Sequence, residues 1–280
     1  LSAHDSIEQL RYYIGRMKNN LIAPIEMLFI ESPANPTLSV YDIANLSRMA
    51  REHDIVVLID NTLASPYNQR PLALGADLCI ESLTKYCGGH GIAMGGAVVG
   101  MESFISRIRE KGKREGGHLS PDEASRLQHG LQTLETRMEE HNLNAMRFAK
   151  FLASDKWKSK ILKVNYPGLR SHPQHDIAAA QMRTPSGTPG FGGMVSFILR
   201  NSEWVRPFAD CLAQSFIELC VSFGSTGSTF TIPARYIHGG IRPEEREALG
   251  ISDALIRFSV GIENFKDIRH EVAKALAILK

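Results

Sequence analysis

Long apolar runs are missing from this sequence of 280 residues. No stretch reaches the roughly 18 residues that a membrane-spanning helix needs, so a helical membrane protein is excluded. No signal-peptide pattern opens the chain. An excess of one charge is missing as well. Thirty-two basic residues stand against 30 acidic ones, a formal net charge of +2, so neither nucleic acid nor an anionic membrane is expected as a partner. The basic run Lys111, Lys113, Arg114 is short and broken by Gly112, and a solvated loop is expected there. Cysteine is scarce. Cys79, Cys87, Cys211 and Cys220 form no CxxC pair and no metal-ligand spacing, so reduced thiols in a cytoplasmic protein, and no metal, are expected. Internal repeats and low-complexity segments are absent. The first residue is Leu1 rather than methionine, and the chain enters a helical pattern almost at once, as a fragment or a processed chain would.

With 43% hydrophobic and 22% charged residues the composition is close to that of globular proteins. The length suits one large domain or two ordinary ones. Ser6, Ile7, Leu10, Ile14 and Met17 give an apolar stripe at helical spacing, with Asp5 as the N-cap. Four strand signals follow: Ile25–Ile30, the fully apolar Ile55–Ile59, Asp77–Ile80 and Ala97–Gly100, with a helix over Asp42–His53 between the first two. Apolar runs of this kind suit parallel strands buried on both faces, and the βαβ rhythm predicts an open, largely parallel α/β sheet. From Pro121 to Leu152 the pattern reads as long helices. Beyond them Ile161–Val164, Gly193–Leu199, Val221 and Ala254–Val260 read as strands and Glu203–Leu219 and Phe265–Leu279 as helices, an α+β pattern. The expected division is therefore a large domain over residues 1–142 and a smaller one over 143–280.

Ligands of open parallel sheets bind beyond the carboxyl ends of the strands. Three successive strands end in polar residues, and chain order gathers Asn35, Asp60, Thr62, Ser82, Thr84 and Lys85 on one rim, beside Gly88-Gly89-His90-Gly91. A lysine, a carboxylate and several hydroxyls suit pyridoxal 5′-phosphate (PLP). This cofactor needs an amine for its aldehyde, an acid for its ring nitrogen and donors for its phosphate. Taken singly the residues say less. A lone lysine is usually a solvated surface group, Asp60 alone could cap a helix, the glycines could be turns, His90 is more often a structural hydrogen-bonder than a catalyst, and Cys87 is more often a packing residue.

Together they carry a specific resemblance. Glu31-Ser32-Pro33-Ala34-Asn35-Pro36-Thr37, Asp60-Asn61-Thr62 with Ser65-Pro66-Tyr67, and Ser82-Leu83-Thr84-Lys85-Tyr86 with Gly88-Gly89-His90 resemble the Cys/Met-metabolism PLP enzymes. That family includes cystathionine γ-synthases, cystathionine γ- and β-lyases, methionine γ-lyases and O-acetylhomoserine sulfhydrylases. The similarity runs on through Gly130 to Thr133, Arg137-Met138-Glu139, Gly192 to Phe197 and Leu255 to Glu263. It implies a fold-type I, aspartate-aminotransferase-like architecture, in which a large PLP domain precedes a smaller α+β one. It implies Lys85 as the cofactor's lysine and proton carrier, Asp60 as partner of the ring nitrogen with Thr62 beside it, Asn35 at the ring hydroxyl and the substrate, and Ser82 and Thr84 at the phosphate. It implies Arg257 as the grip on the substrate α-carboxylate, Ser222 as the residue that steers Lys85, and Val221 as a further wall of the substrate site. The substrate would be a small amino acid, and the assembly a homotetramer built from dimers.

The sequence departs from the family pattern in several places. The region that in the family precedes this segment, with a Gly-Met phosphate loop, a ring-stacking tyrosine and a Tyr-x-Arg arm, has no counterpart here. The cofactor pocket would then need that segment from elsewhere. Gly91-Ile92-Ala93 stands where cystathionine enzymes often have Ser-Asp-Val, and Val221 where they tend to have glutamate. An apolar residue there favours an uncharged substrate tail. Phe223 and Ser225 interrupt the usual Ser-Leu-Gly-Gly run, Gly227 replaces a glutamate and His129 an arginine. The expected activity is γ-elimination, as in methionine or cystathionine γ-lyases. γ-Replacement, as in cystathionine γ-synthases or O-acetylhomoserine sulfhydrylases, is the alternative, and a non-catalytic truncated homologue is the reading of a different kind.

Overall fold

The computed structural model describes residue 3 and residues 5–280. Two sheets carry the chain. In the first, β1 (Met27–Glu31), β2 (Val56–Asp60), β3 (Leu78–Ser82) and β4 (Gly96–Gly100) lie in that order. β1, β2 and β3 run parallel and β4 antiparallel. The strands fall within a residue or two of the expected positions. Full burial on both faces is not observed, however. Ile30, Val57 and Ile59 pack against Leu10 and Ile14 of the helix Ser6–Lys18 and Ile43, Leu46 and Ala50 of the helix Ile43–Arg51, whereas Met27 and Phe29 on the opposite side of the pleat are exposed. Successive strand residues point to opposite faces, so helices on one side bury alternate residues only. Asp42 begins the second helix by accepting a hydrogen bond from the Asn45 amide at 3.1 Å.

The helix Glu102–Glu115 corrects the loop expected at Lys111–Arg114. These cations sit on its last two turns, where Lys111 pairs with Glu115 and Lys113 with Glu110. They are solvated, as expected, but helical, because charged residues alone do not break a helix. Beyond it, Ser120 caps the helix Pro121–Leu131, and the helix Leu134–Leu152 follows. The latter joins the two sheets. Near its start Met138 packs with Leu38, Leu63, Tyr67, Tyr86, Met194 and Phe223, and near its end Ala145, Phe148 and Leu152 enter the core of the second sheet.

That sheet has the order β5-β6-β9-β8-β7, from β5 (Ile161–Asn165), β6 (Met194–Leu199), β7 (Glu218–Leu219), β8 (Thr229–Thr231) and β9 (Leu255–Ser259). Its core joins Val195, Phe197, Ile256 and Phe258 to Phe208, Leu212, Ile268, Val272 and Leu276 from the helices Val205–Leu212 and Phe265–Ala277. Two expectations are corrected here. The helix foreseen over Glu203–Leu219 stops at Leu212, because Ser215 turns the chain. Its hydroxyl donates to the Leu212 carbonyl (2.7 Å) and accepts from the Ile217 amide (3.1 Å). Val221 is not in a strand but stands in a bend two residues after the two-residue β7. Among the described residues no helix is long and apolar enough to cross a membrane.

Candidate active site

Parallel register brings the carboxyl ends of β1, β2 and β3 level, with Glu31 opposite Asp60 and Asp60 opposite Ile80. The rim is then tied together by hydrogen bonds. The Thr62 amide donates to Asp60 Oδ1 (3.0 Å), and the Ser82 amide donates to Thr62 Oγ1 (2.9 Å). The Lys85 amide donates to the Ser82 carbonyl (3.1 Å). Asp60, Thr62, Ser82 and Lys85 therefore form one continuous rim, as expected from chain order. Thr84 is engaged differently. Its hydroxyl donates to the Gly95 carbonyl (3.3 Å) and accepts from the Gly95 amide (3.0 Å), closing the loop from Thr84 to Gly95.

The second sheet supplies the other wall. Lys85 Nζ, half-buried, donates to Ser222 Oγ at 2.7 Å. Arg257, in the middle of β9 and 2% exposed, donates through one nitrogen to the carbonyls of Val221 (2.7 Å) and Ser222 (3.2 Å) and through the other to Asn35 Oδ1 (3.2 Å). Arg257, Ser222, Asn35 and Lys85 thus converge from four separate stretches of sequence. Val221 joins them only by its backbone. Its side chain is 58% exposed, so the main-chain carbonyl, not the apolar side chain, makes the contact. His90 is exposed and its Nδ1 lies 2.8 Å from the Gly88 carbonyl, the structural role expected of it. Cys87 is buried and its thiol is pushed up to about 12 by burial, with Glu81 adding to the effect, which keeps it a packing residue. A cleft of about 690 Å³ opens onto this place, lined by Thr84, Met94, Glu123, Cys220, Ser222 and Phe223 among others.

Burial first, and the Arg257 charge second, lower the pKa of the Lys85 amine, with Cys220 opposing. Both causes penalise the ammonium form. Burial also lowers Arg257, to about 10, with Tyr86, Cys220 and Glu31 opposing, so the guanidinium keeps its charge at neutral pH. Glu31 is pushed up to about 7 by burial, helped by Asp60 and opposed by the Asn35 backbone and Arg257.

Four residues of the rim's support were not singled out from sequence. Beneath the strand ends lies a buried amide network. Asn61 donates to Glu81 Oε1 (2.6 Å) and to the Gln69 carbonyl (3.0 Å), and Gln69 donates to the Ser32 carbonyl (2.8 Å) and Asn61 Oδ1 (2.9 Å). The ends of β1, β2 and β3 are thereby cross-linked through side chains. The fourth is Arg137, 3% exposed. It donates to the carbonyls of Tyr86 (2.6 Å), Gly130 (2.7 Å) and Cys87 (3.2 Å) and to Thr133 Oγ1 (3.0 Å). The turn after Lys85 is held against the helix Pro121–Leu131 by this guanidinium, and at Gly130 any Cβ would collide with the Gly88 backbone. For Arg137 and Asn61 the available signal was their place in the stretches Arg137-Met138-Glu139 and Asp60-Asn61-Thr62. For Gln69 and Glu81 there was none.

Burial, with a lesser contribution from Asp60, pushes Glu81 up to about 7, against hydrogen bonds from Asn61 and Cys79 that pull it down. A carboxyl whose folded pKa is raised favours folding while protonated. Its contribution is complete below the ordinary 4.5 and is lost as pH rises through about 7. Glu81→Gln is therefore expected to be more stable than the wild type at about pH 8, by up to ~3 kcal/mol. It is also expected to lose less stability between about pH 5 and 8. Urea midpoints across that range check this, and parallel curves for the two proteins would refute it.

A half-buried lysine with a lowered pKa, a buried arginine facing it and a carboxylate at the end of the neighbouring parallel strand give this α/β fold the residue types that PLP chemistry requires. The residue set fits the cofactor chemically, with an amine for the aldehyde, a carboxylate at Asp60 for the ring nitrogen and hydroxyls at Ser82 and Thr84 for the phosphate, although the Ser82 amide and both Thr84 donors are engaged within the rim. The chain belongs to the family described as Cys/Met metabolism PLP-dependent enzyme, whose model matches residues 12–277, and its fold is the fold-type I arrangement of that family. It is 41% identical over 250 residues to a cystathionine beta-lyase of Lactococcus lactis subsp. cremoris, covering 89% of this chain and 63% of the relative. It is also 41% identical over 253 residues to an L-methionine gamma-lyase of Pseudomonas putida, covering 89% and 61%. The crystal structure of cystathionine gamma-lyase from Lactobacillus plantarum complexed with L-serine superposes with a TM-score of 0.82 at 37% identity, covering 90% of this chain and 64% of that one. The chain thus spans somewhat under two thirds of the length of the relatives it matches.

Proposed function

We propose that this chain carries the catalytic lysine and the substrate-carboxylate arginine of a PLP-dependent enzyme that performs γ-elimination on a sulfur amino acid. The observation that carries this reading is the convergence of Lys85, Ser222, Asn35 and Arg257 across two sheets. When bound, PLP supplies an aldehyde that condenses with amines and a ring that stores the electron pair released at the substrate Cα. Lys85 holds the cofactor through its Nζ. Burial and the Arg257 charge favour the neutral form of that amine, the form that would take the proton from the substrate Cα and, in turn, from Cβ. Ser222 Oγ, 2.7 Å from Nζ, orients the amine between these positions. Asp60, fixed by the Thr62 amide, would pair with the ring nitrogen and keep it protonated. Ser82 and Thr84 would hold the cofactor's phosphate through their hydroxyls. Arg257 offers a planar fork to the α-carboxylate, and the Asn35 amide is set beside it. Departure of the γ-substituent with a proton, followed by addition of water to the remaining unsaturated amine, would then give a keto acid and ammonia.

The absence of a carboxylate at Val221, where cystathionine enzymes tend to carry glutamate, supports an uncharged substrate tail and so methionine-type elimination. γ-Replacement on an O-acylated homoserine uses the same residues and differs in whether a thiol enters before water does. We assign residues 1–142 to the large PLP domain and 143–280 to the smaller one, and we propose a cytoplasmic homotetramer of dimers with the rest of the cofactor pocket supplied by a further segment. The test is chemical. Incubation with PLP followed by borohydride is expected to fix one label per chain, at Lys85, by peptide mapping. A label spread over surface lysines, or none, would overturn the assignment.

A further inference from the structure

The cleft wall at Phe223 has no role in the proposed chemistry, yet it touches both cations of the site. Lys85 Nζ lies 4.8 Å from the centroid of the Phe223 ring, over its face, and Arg257 Cζ lies 5.2 Å from the same centroid. The ring is 8% exposed, and cation–π attraction counts for most where water is excluded. We propose that Phe223 is a positioning residue of this site, its ring a shared platform that holds the Lys85 amine and the Arg257 guanidinium in a fixed relative placement. The proposal rests on Lys85 being the reactive amine.

The placement of the ring is itself over-determined. Tyr86 stacks at 6.2 Å, tilted 57°, and Met138, Leu63 and Met194 pack in the same cluster. The next residue, Gly224, has φ +79°, and a Cβ there would stand 2.9 Å from the Tyr86 amide nitrogen. Its own amide donates to Ser259 Oγ at 3.0 Å. The backbone that carries Phe223 is thus held close against Lys85 and Tyr86. The two cations repel each other. Hydrogen bonds to Ser222, Val221 and Asn35 fix their edges, and the negative face of the ring offsets the repulsion. An aliphatic side chain of similar volume would fill the space without that face.

The charged and titratable groups around the pair are few. Lys85 faces Arg257 and Cys220. Arg257 faces Tyr86, Cys220 and Glu31, and His238 approaches Arg257 from the segment after β8. The ring favours the ammonium form of Lys85, so removing its quadrupole makes the amine neutral at lower pH. The experiment is competitive acetylation of the full chain without cofactor, with peptide mass mapping of Lys85 across about pH 6 to 11. Phe223→Leu is expected to move the midpoint down by roughly 0.5–1 pH unit, and Phe223→Tyr to restore it. Incorporation of 3,4,5-trifluorophenylalanine at 223 keeps the shape and cancels the quadrupole. It is expected to give the same downward shift and decides the matter if the leucine variant does not fold. A midpoint unmoved, within about 0.2 unit, in the trifluoro protein overturns the proposal. Borohydride labelling of the same proteins reads the cofactor assignment separately. A lost label with a shifted midpoint counts against Lys85 as the cofactor's lysine, not against the platform.

Discussion

Lys85→Ala is expected to lower kcat for a sulfur amino acid by at least about 10³-fold while leaving the melting temperature within about 2 °C. The size follows from two duties that fall on one atom. Nζ is the attachment point for the aldehyde and the base that moves the substrate protons, and a positioned base alone is worth about 10²–10⁴. The small stability effect follows from the geometry. The Lys85 side chain is only half-buried, it makes one hydrogen bond, to Ser222, and its ammonium form is already disfavoured by burial and by Arg257. Removing it leaves the Ser222 hydroxyl beside an open cleft, where water can take its place. Added ethylamine is expected to restore part of the turnover of Lys85→Ala, since the cavity then admits the missing amine. Arg257→Ala should not respond to it. Full turnover by Lys85→Ala would end the assignment of Lys85. Loss of turnover with a collapsed melting temperature would instead make Lys85 a structural residue.

How much of this was legible beforehand divides by distance along the chain. The parallel strands were, because Val56–Ile59 and Leu78–Ile80 are short apolar runs between turn residues and the βαβ rhythm leaves few arrangements for them. The rim from Asp60 to Lys85 was legible for the same reason, since strand ends in register must share an edge. Arg257 could be given its place only through the family resemblance, for it lies 172 positions beyond Lys85 and no local pattern marks it. Val221 shows the limit from the other side. The residue type suggested an apolar wall, but the segment presents its carbonyl to Arg257 and its side chain to solvent. A strand signal of one residue cannot settle which face is turned inward. The helix after Glu203 was overextended because helical spacing continues past Leu212, and the Ser215 hydroxyl that ends it competes for backbone groups in a way that apolar periodicity does not register. The amide network of Asn61, Gln69 and Glu81 was invisible for a related reason. Each residue is ordinary in sequence, and only the fold brings them within 3 Å of one another.

Arg137→Met is expected to destabilise the chain by about 3 kcal/mol, a fall in melting temperature of roughly 6–12 °C. Methionine nearly matches the length and the apolar stem of arginine, so the loss measures the guanidinium. That group is 3% exposed, and it satisfies the carbonyls of Tyr86, Cys87 and Gly130 together with the Thr133 hydroxyl. Methionine offers none of these oxygens a partner. The Gly130 carbonyl keeps the Thr133 amide and hydroxyl (both 3.2 Å), while the Tyr86 and Cys87 carbonyls lose their guanidinium donors, and an unmet buried acceptor costs about 1–3 kcal/mol. Relief of the arginine's own desolvation, which lowers its pKa, returns part of that cost and keeps the net near 3 kcal/mol rather than a simple sum. The defect should be local before it is global. The Tyr86 and Cys87 carbonyls belong to the turn that begins at Lys85, and the Gly89 amide bonded to the Lys85 carbonyl at 2.7 Å is expected to exchange with solvent at least about ten-fold faster in the variant. Arg137→Lys should recover little, because a single ammonium cannot reach three carbonyls arranged for a planar fork. Thermal denaturation with hydrogen exchange checks both points. A change below about 1 kcal/mol, with unaltered exchange at Gly89, would show that the turn carrying Lys85 holds its shape without the clamp.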